Sequence, residues 1–351
     1  MSKRKTNAKD FVNESYIRKC INLAKQGENF VSPNPMVGCI IVKNNRIIGR
    51  GYHKYFGGNH AEVNAVNNAI KKGHDLKGSS LYVNLEPCCY HGKTPPCTDL
   101  IIANKIKNVF IGMKDPNPLV NGKGIKQLLY AGINVKFNIL KNECEELNKS
   151  FIKSAKYKIP YVSLKVAQSL DGKIALNNFS SKWITNYESR KYVKKLRGKY
   201  DAILIGHNTA VYDNPSLHPE KTDKKIPFRI ILSDKPAEIS SGMKILNDKY
   251  RENTIIISSD FDKKSYIRVL KYLYSLGISK ILVEGGAFVF SKFIEYNLFD
   301  DIYLFTADNI IGKGISSFNY FEIKNLGKSV KLNLKYSKRL GNNTFQYFIK
   351  L

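Results

Sequence analysis

Three soft donors and one carboxylate occur in an order that suits a hydrolytic metal centre. His60, Ala61 and Glu62 open one expected helix; Pro87 and Cys88 end an expected strand, and Pro96 and Cys97 follow at the next expected helix start, with eight residues between the cysteines. Zinc takes neutral imidazole and thiolate, and three protein ligands leave its fourth position to water, whose pKa then falls to about 7. Positions i and i+2 lie about 200° apart around a helix of 3.6 residues per turn. His60 and Glu62 therefore converge only beyond the helix N-terminus, where the dipole favours thiolates and developing anions. A His-x-Glu triplet alone is common and usually structural; the paired Pro-Cys steps make the difference. A closed structural site with Cys89 or His91 as fourth ligand would leave Glu62 without a role. Cys20, Cys39 and Cys144 have no metal-like spacing and read as small core hydrophobes.

A second constellation lies in the other half. Val283, Glu284, Gly285, Gly286 and Ala287 read as a strand end passing through a glycine turn into a helix, a geometry that lets backbone amides approach a cofactor phosphate. A plain strand-to-helix turn has the same pattern, and it is not the Rossmann fingerprint. Trp183, the only tryptophan, suits core packing and ligand contact equally.

The elements that must position these residues read as α/β. A helix over 11–27, capped by Asp10 and with Ile17, Cys20, Ile21 and Ala24 on one face, precedes a hairpin of strands over 37–42 and 47–51 about Asn44 and Asn45. Next come a helix over 60–72, a strand over 80–85, a helix from Cys97, a strand over 109–113, a helix over 123–131, a strand over 134–140 and a helix through 145–154. Around 156–160 the pattern restarts, because Pro160 disfavours helix and an apolar run begins at Val162. Unbroken apolar runs at 202–205, 229–232, 254–257, 280–283, 302–305 and 345–349 predict strands buried on both faces, as in a mostly parallel sheet covered by helices. A basic tail over 1–10, a first domain over 11–155 and a second over 156–351 are expected.

Composition bounds the classes. With 351 residues, 43% hydrophobic and 25% charged, the chain is an ordinary folded protein of about two domains, which excludes wholesale disorder, a collagen-like repeat and a small disulfide-stapled scaffold. Its apolar runs fall far short of the roughly 20 residues a membrane helix needs. No apolar segment follows the basic N-terminus as in a secretory signal, so a cytoplasmic protein with reduced cysteines and no membrane partner is expected. The 57 Lys and Arg against 29 Asp and Glu leave a net charge of +28. Such a field attracts nucleic acid or small anions, yet lysines dispersed along the chain equally suit solvated faces, and no arm of like charges with interleaved aromatics stands out.

The histidine-x-glutamate and proline-cysteine pattern is that of zinc nucleobase deaminases, in which the glutamate moves protons and does not bind metal. The long cysteine spacing narrows it. The stretch from Glu86 to Cys97 resembles the bifunctional riboflavin-biosynthesis deaminase/reductase family called RibD or RibG, and Pro33 to Gly38, His53 to Glu62, Asp115 to Pro118, Gly122 and Gly124 match it too. The resemblance implies a cytidine-deaminase-like three-layer N-terminal domain with one Zn2+ on His60, Cys88 and Cys97 and with Glu62 as catalytic acid and base. It also implies a small-molecule substrate, 2,5-diamino-6-(5-phosphoribosylamino)pyrimidin-4-one, deaminated by hydrolysis. Asn34, His53, His91, Lys93, Asp115 and Asn117 match positions lining that family's substrate pocket. Cys89 stands where serine is usual.

The order of Lys165, Ala167, Ser169 to Gly172, Ser181, Trp183 to Thr185, Asp201 to Gly206, Thr209, Asp213 to Leu217 and the glycine turn resembles the reductase half of the same family. It implies a dihydrofolate-reductase-like α/β domain that uses NADPH to reduce the ribosyl group to ribityl. By matching positions, Ala167, Trp183, Thr209, Asp213, Gly285, Gly286, Ala287, Phe288, Val289, Phe290 and Ser291 would hold NADPH. Ser181, Arg197, Leu217 and Glu284 would face the substrate, and Lys165 would be catalytic, stabilising charge near the reacting sugar. Glu220 stands where the family usually has a phosphate-binding arginine, with Lys221 or Arg197 to compensate. A homodimer is implied by the family alone. The alternatives are a deaminase with an inactive reductase half, a nucleic-acid base deaminase and a non-catalytic RNA-binding module. The cysteine spacing and second domain disfavour the nucleic-acid deaminase, and the intact set of His60, Glu62, Cys88 and Cys97 disfavours the binding module.

Overall fold

Short apolar strands joined by amphipathic helices bury their faces only by pairing into a sheet under those helices, and each half of the chain does this separately. The computed structural model describes residues 8–91, 95–220 and 226–351, with one unit ending at Lys158 and the next beginning at Ile159.

The first unit runs α1 (Ala8–Ala24), β1 (Gly38–Lys43), β2 (Arg46–Tyr52), α2 (Ala61–Lys71), β3 (Ser80–Leu85), α3 (Cys97–Ala103), β4 (Asn108–Met113), α4 (Lys123–Tyr130), β5 (Asn134–Lys136), α5 (Lys141–Leu147) and α6 (Lys149–Tyr157). Its sheet has the order β2-β1-β3-β4-β5. Asn44 and Asn45 both take left-handed φ, 51° and 59°, as the two-residue hairpin between β1 and β2 requires. The stripe of Ile17, Cys20, Ile21 and Ala24 is buried, and α1 packs on β1 and β3 while α2 packs on β1 and β2. The helix starts before Asp10, so that residue lies in its first turn and is not its cap. Beyond β5 the expected strand gives way to turns, with Leu140 left-handed at the start of α5. The expected single helix through 145–154 is two helices broken at Asn148, whose buried side chain accepts from Met36 N at 2.8 Å and donates to Met36 O at 3.0 Å. That long-range pair outweighs local helix propensity.

The parallel strands β3 and β4 end side by side, with Leu85 opposite Met113. The loops leaving them share one edge of the sheet, the place where open α/β sheets bind ligands.

The second unit runs β6 (Tyr161–Gln168), β7 (Lys173–Leu176), α7 (Tyr187–Arg197), β8 (Ala202–Gly206), α8 (His207–Asp213), β9 (Phe228–Ser233), α9 (Lys244–Asn247), β10 (Thr254–Ser258), α10 (Lys263–Ser275), β11 (Lys280–Val283), α11 (Ala287–Glu295), β12 (Asp301–Thr306), β13 (Gly314–Ser316), β14 (Leu332–Leu340) and β15 (Asn343–Lys350). Its eight-stranded sheet has the order β10-β9-β8-β11-β6-β12-β15-β14. Pairing is parallel from β10 through β12 and antiparallel at β15 and β14. Every strand expected here is present, but burial on both faces holds for β8, β9 and β11 and not for β10, β12 and β15, which are partly exposed. The strands not foreseen are β14 and the small β7–β13 pair, and α7 to α10 fill segments for which only covering helices in general were expected. No described helix is long and apolar enough to cross a membrane.

Candidate functional site

His60 is the residue before α2, extended at ψ 161°, and Cys97 opens α3, so two helix N-termini meet at one point. His60 Nδ1 lies 3.3 Å from Cys97 Sγ and 3.5 Å from Cys88 Sγ. Tetrahedral zinc, with Zn–N about 2.0 Å and Zn–S about 2.3 Å, sets its donors about 3.5 Å apart. The three residues therefore fit zinc without rearrangement, and their ligand atoms all lie within 4.8 Å of one another. The Cys97 amide donates to Cys88 Sγ at 3.4 Å. A hydrogen bond from Cys97, opposed by burial and aided by His60, holds the Cys88 thiol down at about 4, and Cys88 in turn raises His60 to about 9. Among the described residues this cluster includes neither Cys89 nor His91. Glu62 sits in the first turn of α2, 4% exposed, and burial raises its carboxyl above the usual range. It is the group a proton-transfer role needs, close to the ligands and separate from them.

His53 Nδ1 faces Asn59 O at 3.0 Å, and Asn34 Nδ2 faces His53 Nε2 at 3.1 Å. A carbonyl can only accept, so His53 carries its proton on Nδ1 and Asn34 donates to Nε2. Burial lowers the ring's pKa and so favours its neutral form. The Asn34 amide is thereby oriented with its oxygen left to accept from a ligand. On the loop after β4, Asp115 Oδ1 accepts from Asn117 N at 2.8 Å, and burial pushes the Asp115 carboxyl up to about 7. His91 is exposed, and Lys93 lies outside the described residues. Cys20, Cys39 and Cys144 are buried apolar packing, as expected.

In the second unit a cavity of about 600 Å³ is lined by Lys165, Ala167, Ser181, Trp183, Arg197, Thr209, Asp213, Glu284, Gly286 and Ala287 to Phe290, among others. Glu284 is the lining carboxylate that gathers two of these cations. Its carboxylate accepts from Arg197 Nε at 2.6 Å and Nη2 at 2.9 Å and pairs with Lys165 Nζ at 3.3 Å. Burial pushes this carboxyl up, but Arg197 and then Lys165 outweigh it and bring it to about 2. Thr209 Oγ1 accepts from Gly286 N at 2.9 Å, and Ser181 donates to Asp213 at 2.6 Å.

Three expected positions lie outside the lining. Leu217 is 3% exposed in an apolar cluster; Ser291 is buried and accepts from Tyr320 N at 3.1 Å; and Gly285 packs so closely that a Cβ would stand 2.5 Å from Gly206 N. Trp183 is 72% exposed, so the core-packing reading is corrected; Arg190 lies 4.2 Å over its ring. Arg197 is committed to Glu284, and Lys221 lies outside the described residues, so the expected compensation for Glu220 has no described donor in either. Sequence reasoning passed over Glu86, Arg190 and Lys194. A carboxylate at the end of an apolar strand is the signal that marks the first. The others share the face of α7 with Arg197 at helical spacing.

Residues 12–113 match the family described as the cytidine and deoxycytidylate deaminase zinc-binding region, and residues 160–345 match the RibD C-terminal domain. The riboflavin biosynthesis protein RibD of Aquifex aeolicus is 38% identical over 96% of this chain and 98% of its own. That of Escherichia coli is 32% identical over 92% and 98%. The crystal structure of a Thermotoga maritima diaminohydroxyphosphoribosylaminopyrimidine deaminase/5-amino-6-(5-phosphoribosylamino)uracil reductase superposes with TM-score 0.88 at 36% identity, covering 98% of this chain and 100% of that one. Acinetobacter baumannii RibD gives 0.87 at 29% identity, covering 98% and 100%.

Proposed function

The chain belongs to the RibD family of bifunctional riboflavin-pathway deaminase/reductases, and from that premise we propose how its own residues divide the two reactions. The first is zinc-dependent hydrolytic deamination of 2,5-diamino-6-(5-phosphoribosylamino)pyrimidin-4-one; the second is NADPH-dependent reduction of the ribosyl group to ribityl. The observation that carries the assignment is the zinc-shaped triangle of His60, Cys88 and Cys97 beside the buried Glu62.

Zinc supplies the Lewis acidity that makes water a nucleophile at neutral pH. Glu62 would take one proton from the attacking water and give it to the ring nitrogen, then take the proton left on the added hydroxyl and give it to the departing amino group, which leaves as ammonia. Burial raises its proton affinity, which suits a group that must both accept and return a proton. Asn34, oriented by His53, reads the pyrimidine, and Asp115 and Asn117 line the far side; His91 and Lys93 complete the pocket by family resemblance alone.

NADPH supplies the hydride of the second reaction. Gly286 to Phe290, with Thr209 fixing the turn, receive its phosphates at the start of α11, and Ala167, Trp183 and Asp213 line its path. Lys165, held by Glu284, places a positive charge at the reacting sugar, and Ser181 and Arg197 bound the substrate.

We place the enzyme in the cytoplasm as a homodimer with small-molecule substrates and no nucleic-acid partner; six free cysteines and dispersed lysines suit that reading. Sedimentation should give twice the chain mass, and RNA should not be retained at physiological salt. Purified protein should release ammonia from the diaminopyrimidine and oxidise NADPH with the deaminated product. Ammonia without NADPH oxidation would make it a deaminase alone.

A further inference from the structure

The loops that leave β3 and β4 both carry deaminase-site residues: Cys88 after β3, Asp115 and Asn117 after β4. One carboxylate lies between them. Glu86 is 3% exposed; its Oε2 accepts from Asp115 N at 3.2 Å and from Gly122 N at 2.9 Å, and its Oε1 accepts from Ile125 N at 3.2 Å. Gly122 is the N-cap of α4 and has no side chain with which to satisfy that helix's first amides. Glu86, the residue after β3, takes up one of them, Ile125 N, together with the N-cap's own N–H, and the positive helix terminus favours its charge. Gly124 makes the approach possible, since a Cβ there would stand 2.3 Å from Pro87 O and 3.3 Å from Glu86 Oε1.

The loop between these anchor points is braced internally. Asp115 Oδ1 accepts from Asn117 N at 2.8 Å, and Asn117 Oδ1 accepts from Leu119 N at 3.1 Å. Losing the outer anchors would therefore shift the loop as a body and leave its turns intact. We infer that Glu86 is a positioning residue for deamination: it fastens both ends of the loop 114–122 to the backbone that carries Cys88, two residues on, and so sets Asp115 and Asn117 against the metal centre. This rests on the reading that the loop lines the deaminase's substrate pocket.

Glu86→Gln keeps one acceptor oxygen and turns an NH2 toward an N–H, so at least one of the three bonds fails. In the zinc-loaded full chain we expect zinc stoichiometry and NADPH oxidation to stay at wild-type values. The KM for the diaminopyrimidine should rise by roughly 10-fold or more, as for groups that orient a site from behind, with a smaller fall in kcat. Gly124→Ala retains the carboxylate but drives α4 off Pro87, and its KM should move the same way; it carries the test where Glu86→Gln does not accumulate folded. A folded, zinc-loaded variant with wild-type KM and kcat overturns the inference, as does a defect confined to zinc content or thermal midpoint. Asn117→Ala separates the two readings. If it leaves KM unchanged, the loop does not meet substrate and the pocket reading fails, taking the tether with it. If it raises KM while Glu86→Gln does not, the pocket reading stands and the tether alone falls.

Discussion

A metal ligand contributes only where the backbone aims it, so the zinc triangle predicts unequal losses among its neighbours. Cys97→Ala should abolish stoichiometric zinc in elemental analysis, because two donors remain where a protein site uses three or more; metal at full occupancy in that variant would remove Cys97 from the site. Glu62→Gln should keep zinc and lose deamination by roughly 10² to 10⁴-fold, since the amide fills the same space and cannot accept a proton. Ammonia release near the wild-type rate would assign the shuttle elsewhere. In the second unit, Glu284 sits at about 2, below its ordinary carboxyl value. Its contribution, about 3 kcal/mol by linkage, is present above pH 4.5 and drains away as pH falls through 2. Glu284→Gln should thus be less stable than wild type to urea at pH 7, with the gap narrowing at pH 3; parallel pH profiles would show that the ion pair is not coupled to folding. The chemistry-bearing residues of the metal centre were legible because ligand type and spacing are local facts. The placements of Leu217 and Ser291 were not, and Trp183 stayed open between core and cavity, because only the fold determines which of the two a side chain faces.

Helix α7 shows what an element adds to its residues. Arg190, Lys194 and Arg197 recur on one face and line the cavity, but they are not equivalent. Arg197 is spent on Glu284, and Arg190 stacks on Trp183. Lys194 makes no ion pair among the described residues, and its carbonyl accepts from Glu220 N at 3.0 Å. Glu220 itself points its carboxylate to Lys195 at 3.9 Å and lies outside the cavity lining. Lys182 and Lys194 are the lining lysines that make no ion pair among the described residues, and we propose that a substrate phosphate entering this cavity meets Lys194, with no carboxylate from position 220 facing it. Lys194→Gln should raise the KM for the phosphoribosyl substrate several-fold with kcat nearly unchanged, the mark of lost uniform binding, whereas Glu220→Arg should leave KM near wild type. The reverse pattern in steady-state kinetics would place position 220 at the phosphate. The elements themselves were readable where periodicity was strong. β14 was not, since its residues are mostly exposed and include Lys335, Lys338 and Arg339, so it carries no apolar run; the β7–β13 pair is too short to show one.

At the scale of the whole chain, the restart at Pro160 reflects two separate cores, one built from residues up to Cys144 and others from Val162 onward. Strand order was beyond sequence reading, because pairing is non-local: β11 inserts between β8 and β6, which precede it by many residues. Separate cores imply separable chemistry. His60, Cys88 and Cys97 all belong to the first unit, and every residue lining the cavity belongs to the second. Removing zinc with a chelator therefore takes charge and Lewis acidity from the deaminase site alone. Ammonia release should stop, NADPH oxidation with the deaminated substrate should continue at its original rate, and NADPH oxidation starting from the diaminopyrimidine should cease for want of the intermediate. Restoring zinc should recover ammonia release and the coupled reaction together. If chelation also ends NADPH oxidation with the deaminated substrate, the reductase cavity depends on the metal-bound state of the first unit, and the two activities are not independent in this chain.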